Sequence, residues 1–223
     1  MMLLTLRRAL LYVALAAGAG CAYEIAYDPA FVPEERPQYV ADGKILLVMP
    51  PEQQEFVYTS APDSVTGDFT TLTVPMGAIV RDIAEDVFAS CFGQGVAFAP
   101  ERVLNGDYVI ALEGNMEEFV YRYKRVIERG FEEANTNEGE VDAWITPEVD
   151  ISFDVRAFDR SGNKVLEKIY SSGVTAGEGY RVTSRPAERI NETLHATLHA
   201  LLLQVAADLK PLLVGECTVL DVA

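Results

Sequence analysis

The sequence predicts an α+β two-layer sandwich: a mainly antiparallel sheet with two helices packed on one face. Three observations carry this expectation. Val149, Ile151, Phe153, Val155 and Ala157 alternate strictly with Asp150, Ser152, Asp154 and Arg156, the pattern of a half-buried strand. Two segments, near 76–92 and 187–210, repeat apolar residues at helical spacing. The elements run as strands, helix, three or four strands and a long helix, which suits an α+β layer architecture better than a doubly wound parallel one. With 223 residues, 49% of them hydrophobic and 23% charged, the chain has the usage of a globular domain and length enough for one sizeable core.

From Lys44 to Met49 the chain is a continuous apolar run closed by Pro50-Pro51, which predicts a buried strand. Glu55 to Thr59 and Phe69 to Val74 read as two short strands around a Gly/Asp/Ser/Pro turn region. Met76 to Phe92 then gathers Ile79, Val80, Ile83, Ala84, Val87, Phe88 and Cys91 on one side, with Arg81, Asp82, Glu85, Asp86 and Ser90 on the other, and stops at Gly93. Val96 to Phe98 is a further strand. Asp107 to Leu112 is expected to continue through Glu113-Gly114 as a long bent strand to about Arg125, since Phe119, Tyr121 and Tyr123 alternate with Val120, Arg122 and Lys124. A Gly/Asn/Glu-rich loop is expected from Gly130 to Asp142. The alternating strand, Glu148 to Phe158, turns at Asp159–Asn163 into Lys164–Ser172, an antiparallel hairpin. Ser184 is a candidate cap and Pro186 a first-turn residue for a helix over Ala187 to Lys210, striped by Ile190, Leu194, Leu198, Leu201, Leu202, Val205 and Leu209.

The N-terminus has its own organisation. Arg7-Arg8 is basic, Ala9 to Ala17 is apolar, and Gly18-Ala19-Gly20 precedes Cys21, the order of an export signal. The apolar stretch is shorter than the roughly 20 residues of a spanning helix, which favours cleavage over a permanent anchor. These residues resemble the bacterial lipoprotein signal, in which the cysteine closing the lipobox is acylated and becomes the mature N-terminus. Gly18 stands where a leucine or similar residue is commoner, and the residues before Arg7 are apolar where a basic start is usual. The resemblance implies lipidation of Cys21 and, because Ala22 rather than aspartate follows it, sorting to the periplasmic face of the outer membrane. An ordinary secretory signal is the competing reading. The expected organisation is thus a signal peptide over 1–20, a lipidated Pro- and Glu-containing tether over 21–42, one domain over 43–214 and a tail over 215–223.

The formal charge is −16, and because residues 1–20 carry Arg7 and Arg8 but no acid, cleavage leaves −18. So acidic a surface repels phosphate backbones and anionic headgroups, which excludes nucleic acid as an expected partner and leaves membrane contact to Cys21. Cys91 and Cys217 are the other cysteines, and an oxidising periplasm makes a Cys91–Cys217 disulfide one reading, a buried Cys91 with a free Cys217 the other.

Candidate chemistry is sparse. His195 and His199, with Glu192, share a helical face and are weak candidates for a metal; a zinc site needs three or four ligands, so a structural role is the stronger reading. Neighbouring carboxylates in Glu117-Glu118 and Glu132-Glu133 point to opposite faces of a strand and cannot act as an acid–base couple. There is no nucleophile elbow, Walker-type loop or dinucleotide fingerprint, and no cofactor is expected. Tyr108, Phe119, Tyr121, Tyr123, Trp144 and Tyr170 are either core or a functional patch on the helix-free face.

From about residue 43 to 210 the succession of elements, including the hairpin from Val149 to Tyr170, resembles the small periplasmic lipoproteins of Gram-negative envelopes, the YajG-like lipoproteins in particular. The resemblance is one of pattern, without a specific motif, and offers no catalytic residue to carry over. The expectation is a non-enzymatic, periplasm-facing lipoprotein acting by binding, as an accessory to envelope assembly or transport with a protein partner. The alternative is a carrier or sensor of a small apolar or lipidic ligand. A cavity lined by the helix stripes favours the carrier; a packed core with an exposed apolar strip favours the accessory.

Overall fold

A computed structural model describes residues 21–64, 70–128, 142–181, 186–213 and 217–219. The expected signal peptide, the Gly130–Asp142 loop up to residue 141 and the Ser184 cap lie outside the described residues. In chain order the elements are β1 (Cys21–Glu24), β2 (Tyr39–Ala41), β3 (Ile45–Val48), α1 (Pro51–Gln54), β4 (Tyr58–Ser60), β5 (Thr70–Val74), α2 (Met76–Ala89), β6 (Val96–Ala99), β7 (Ile110–Glu128), β8 (Asp142–Asp159), β9 (Lys164–Ser171), β10 (Thr175–Ala176), β11 (Tyr180–Arg181), α3 (Pro186–Leu209) and β12 (Cys217–Val219).

The class is mixed α+β and dominated by its sheets. β7 and β8 pair antiparallel from Ile110–Asp159 to Glu128–Asp142, with a bulge between Met116 and Glu118. β9, β10 and β11 occupy successive stretches of the other edge of β8. On the far side of β7 the sheet becomes parallel, because β3 pairs parallel with both β7 and β6. The sheet is thus mainly antiparallel, as expected, with a parallel end formed by β3 and β6 that the expectation did not include. Ile45, Leu46, Leu47 and Val48 are all buried, the two-sided burial that parallel strands require. β1, β5 and β4 form a separate sheet, and β12 pairs with β2.

The tether expected over residues 21–42 is instead folded into the domain. β1 pairs parallel with β5 from Cys21–Thr70 to Glu24–Thr73, and Ile25, Tyr39 and Ala41 belong to the hydrophobic core. The prolines delimit short docked pieces: the Asp28 side chain accepts from the Ala30 N–H at 2.9 Å over a 3-10 turn at Pro29–Phe31. Asn191 Nδ2 donates to the Ala26 carbonyl at 2.9 Å, and Tyr39 Oη donates to the Ala206 carbonyl at 2.7 Å. The expected C-terminal tail likewise supplies β12, Cys217 standing opposite Ala41.

Long helices α2 and α3 pack on one another, and α3 also lies against β8 and β9. The α2 stripe of Met76, Ile79, Ile83, Val87 and Phe88 and the α3 stripe of Ile190, Leu194, Leu198, Leu201, Val205 and Leu209 are buried. By length and composition α3 with its following turn matches a membrane span; here its apolar stripe closes the core.

Candidate ligand-binding site

Burial of the two stripes leaves a space. A cavity of about 250 Å³ lies between Leu47, Leu112, Phe153 and Val155 of the sheet, Val80, Ala84 and Phe88 of α2, and Leu201, Leu202 and Val205 of α3. Tyr170 of β9 forms part of the wall; its hydroxyl donates to Asp208 at 2.8 Å, and Lys168 Nζ donates to the same carboxylate at 2.7 Å, tying β9 to α3. These two bonds hold Asp208 below the usual carboxylate range, and burial pushes the Tyr170 phenol up. A space of this size, walled by aliphatic and aromatic side chains with a few polar groups at its edge, is the candidate binding site of the described residues.

α1 closes one side. Pro50-Pro51 ends β3 and starts a single helical turn, braced by Gln54 Nε2 donating to the Met49 carbonyl at 2.6 Å. The turn sits directly on the start of α2, where the Gly77 N–H donates to the Phe56 carbonyl at 3.0 Å. Glu52, Gln53 and Phe56 line this side, and Phe56 is 42% exposed. Met49, Met76 and Met116, the only methionines after the first two residues, all line the same cavity. Unbranched thioethers adapt to irregular apolar shapes, and surfaces that accept several ligands use them for that reason.

Where β3 ends at Val48, β7 runs on through Gly114, and a second, polar cleft of about 340 Å³ opens. It shares Val48, Gln53, Gly114 and Asn115 with the first and adds Pro50, Pro100, Glu101, Arg102, Glu113, Asp154 and Arg156. Arg156 pairs with Asp154 and, at 3.3 Å, with Glu167. The Arg102 guanidinium lies 3.7 Å over the Phe158 ring with its Nε 3.9 Å from Glu113, while its buried Nη1 has no partner among the described residues.

The expected metal candidates are not brought together. His195 Nδ1 lies 2.9 Å from the Asn191 carbonyl and its Nε2 accepts the Asp28 N–H at 3.1 Å, so both ring nitrogens are used. The Glu192 carboxylate accepts from Arg189 at 2.9 Å. His199 is buried, with its Nε2 unpartnered among the described residues. No group of three or more metal-ligating side chains occurs among the described residues. The aromatic residues are core rather than a surface patch: Tyr108, Phe119, Tyr121, Tyr123 and Tyr170 are buried, and only Trp144 is half-buried. Burial raises the Tyr121 phenol to about 12. Cys91 is buried at the end of α2, and its carbonyl accepts the N–H of Ala41, the residue opposite Cys217; the Cys217 side chain lies outside the described residues, as does that of Cys21.

Two sequence features bear on the cavity: the three methionines, and Gly114, where the expected bend of the long strand lies at the cavity rim.

Fold and site together define a mixed α+β protein with an apolar chamber, open on one side, between its sheet and its two long helices. No protein-family model matches the chain, and no curated protein matches it. Among solved structures it is similar to the crystal structure of a neuraminyllactose-binding hemagglutinin homologue from Helicobacter pylori, at 8% identity over 84% of this chain and 92% of that one, with a TM-score of 0.39.

Proposed function

We propose that this chain is a lipid-anchored protein of the Gram-negative envelope, facing the periplasm, that works without catalysis by binding a small apolar ligand. The observation that carries the ligand is the chamber between the α2 and α3 stripes and the sheet. In this reading both long helices cover one face of the sheet. Among the described residues, β9 offers no continuous apolar strip to a protein partner on its other face: Val165 and Ile169 are exposed but Glu167 stands between them, and Ile169 and Glu167 sit opposite Asp154 and Arg156 of β8. The ligand carrier is therefore preferred over the assembly accessory.

Support for the anchor is the Arg7-Arg8, apolar and small-residue succession before Cys21 and the −18 charge of the remainder, which leaves acylation as the route to a membrane. Two measurements test the proposal. Intact mass of membrane-extracted protein is expected to equal residues 21–223 plus acyl groups, and to lose the acyl mass in Cys21→Ala; an unmodified mature mass overturns the anchor. Titration of the soluble Cys21→Ala protein with N-phenyl-1-naphthylamine is expected to give saturable fluorescence, lost in Ala84→Phe, which fills the chamber. Absence of saturable binding overturns the carrier.

A further inference from the structure

Resting on that carrier reading, we infer that the ligand is a single-chain amphiphile with an uncharged, hydrogen-bonding head. Its tail occupies the chamber between the helices, and its head crosses Gly114 into the cleft beside Arg102.

The two spaces differ in chemistry and meet at one rim. The chamber is apolar, whereas the cleft is walled by charged side chains, and Val48, Gln53, Gly114 and Asn115 line both. The rim is where β3 stops and β7 continues, so the ligand passes around a strand edge, not through the sheet. A Cβ at Gly114 would meet nothing within 4 Å, and its φ is not in the left-handed region, so neither crowding nor backbone conformation requires glycine there. Glycine in a strand interior costs stability relative to alanine. A gap kept open at the junction of an apolar and a polar space is what a through-running ligand needs.

Length follows from volume. A cavity of about 150 Å³ holds benzene, so one of about 250 Å³ holds on the order of ten carbons. The adaptable walls at Met49, Met76 and Met116 suit a flexible chain better than a rigid ring system.

Head chemistry follows from the charges. Arg102 and Arg156 face Glu101, Glu113 and Asp154, so the cleft carries one more acid than base, in a protein already strongly acidic. That disfavours a carboxylate or phosphate head. Arg156 is engaged by Asp154 and Glu167, which leaves the Arg102 guanidinium, its side chain 27% exposed and its Nε 3.9 Å from Glu113, as the less engaged cationic donor of the cleft. With the Gln53 and Asn115 amides at the rim, it suits hydroxyl or carbonyl oxygens.

The test uses the Cys21→Ala protein loaded with N-phenyl-1-naphthylamine and displaced by three ligands sharing a ten-carbon tail: monodecanoylglycerol, decanoate and decylamine. Monodecanoylglycerol is expected to displace the dye at least tenfold more tightly than decanoate. Arg102→Gln is expected to weaken it about tenfold, the loss of one hydrogen bond to a charged donor, while leaving the dye's own affinity unchanged. Gly114→Val is expected to retain the melting temperature, since valine gains a cross-strand neighbour in Val155, yet to abolish displacement by the amphiphiles. Equal displacement by all three heads, no effect of Arg102→Gln, or undiminished displacement in a folded Gly114→Val overturns this inference and leaves the apolar carrier standing. Failure of the wild-type site to bind the dye overturns the carrier, and this inference with it.

Discussion

The Gln53 carbonyl oxygen stands 2.0 Å from the point where a Cβ on Gly77 would lie, and the Gln54 carbonyl oxygen 2.5 Å from it. Both obstacles are backbone, so neither can swing aside. Glycine at position 77 is what lets α1 rest on the first turn of α2 and close the chamber. Gly77→Ala is expected to push α1 outward, destabilising the protein by about 1–3 kcal/mol in urea titration, as overpacking does, and to speed dye release in stopped-flow measurements. An unchanged urea midpoint would show that α1 is not a fixed wall.

His195 and His199, 0% and 1% exposed, both have their pKa lowered below the ordinary histidine range. Burial is the chief cause at each. At His195 the Asn191 carbonyl and Asp28 oppose it; at His199 Arg36 reinforces it, while Asp86 and Glu35 oppose. The unfolded chain therefore takes up these protons first as pH falls through about 6.5, so the stability present above that pH is lost below it, at up to about 1.4 kcal/mol per pH unit for each histidine. The urea midpoint is expected to drop between pH 7.5 and 5.5. A His195→Gln/His199→Gln double variant should show a flatter profile over that window; an equally steep one would assign the pH dependence elsewhere.

Asn191 tests whether residues 22–42 are truly docked. Asn191→Ala removes the bond to the Ala26 carbonyl, which an independent linker would not notice. The expected cost is about 1–2 kcal/mol, with faster proteolysis in the 22–38 segment. Wild-type proteolysis rates would restore the picture of a loose tether.

Asp208 accepts from Tyr170 on the chamber wall and from Lys168 beside it. Asp208→Ala leaves the Tyr170 hydroxyl half-buried without its acceptor, and is expected to cost about 1–3 kcal/mol and to weaken dye binding, because β9 is no longer held to α3. A thermal shift below 1 °C with unchanged binding would remove Tyr170 from the site.

Elements that bury a long periodic face could be read from the sequence. The β8 alternation at Val149–Ala157, the two helical stripes and the continuation of β7 through Gly114 all correspond to observed elements. Short pieces whose stability comes from distant partners could not. β1 and β2 are four and three residues long, and their partners lie in β5 and β12. No local period announces such strands, so a proline-containing run reads as a linker. The parallel pairing of β3 was hidden because a short apolar run is the same in either sense. As for the chamber, an unfilled volume belongs to side chains far apart in sequence, and apart from Gly114 and the three methionines the residues that shape it look like any other core positions.

Asp28 with His195, Ala26 with Asn191 and Tyr39 with Ala206 join residues some 165 positions apart. These three contacts cannot form until the last helix has been synthesised, since each closes a loop spanning most of the chain, whereas β1 finds its partner already in β5. In the exported form proposed above, the docking of residues 26–39 onto α3 is thereby left to the last stage of folding, after the whole chain has been made.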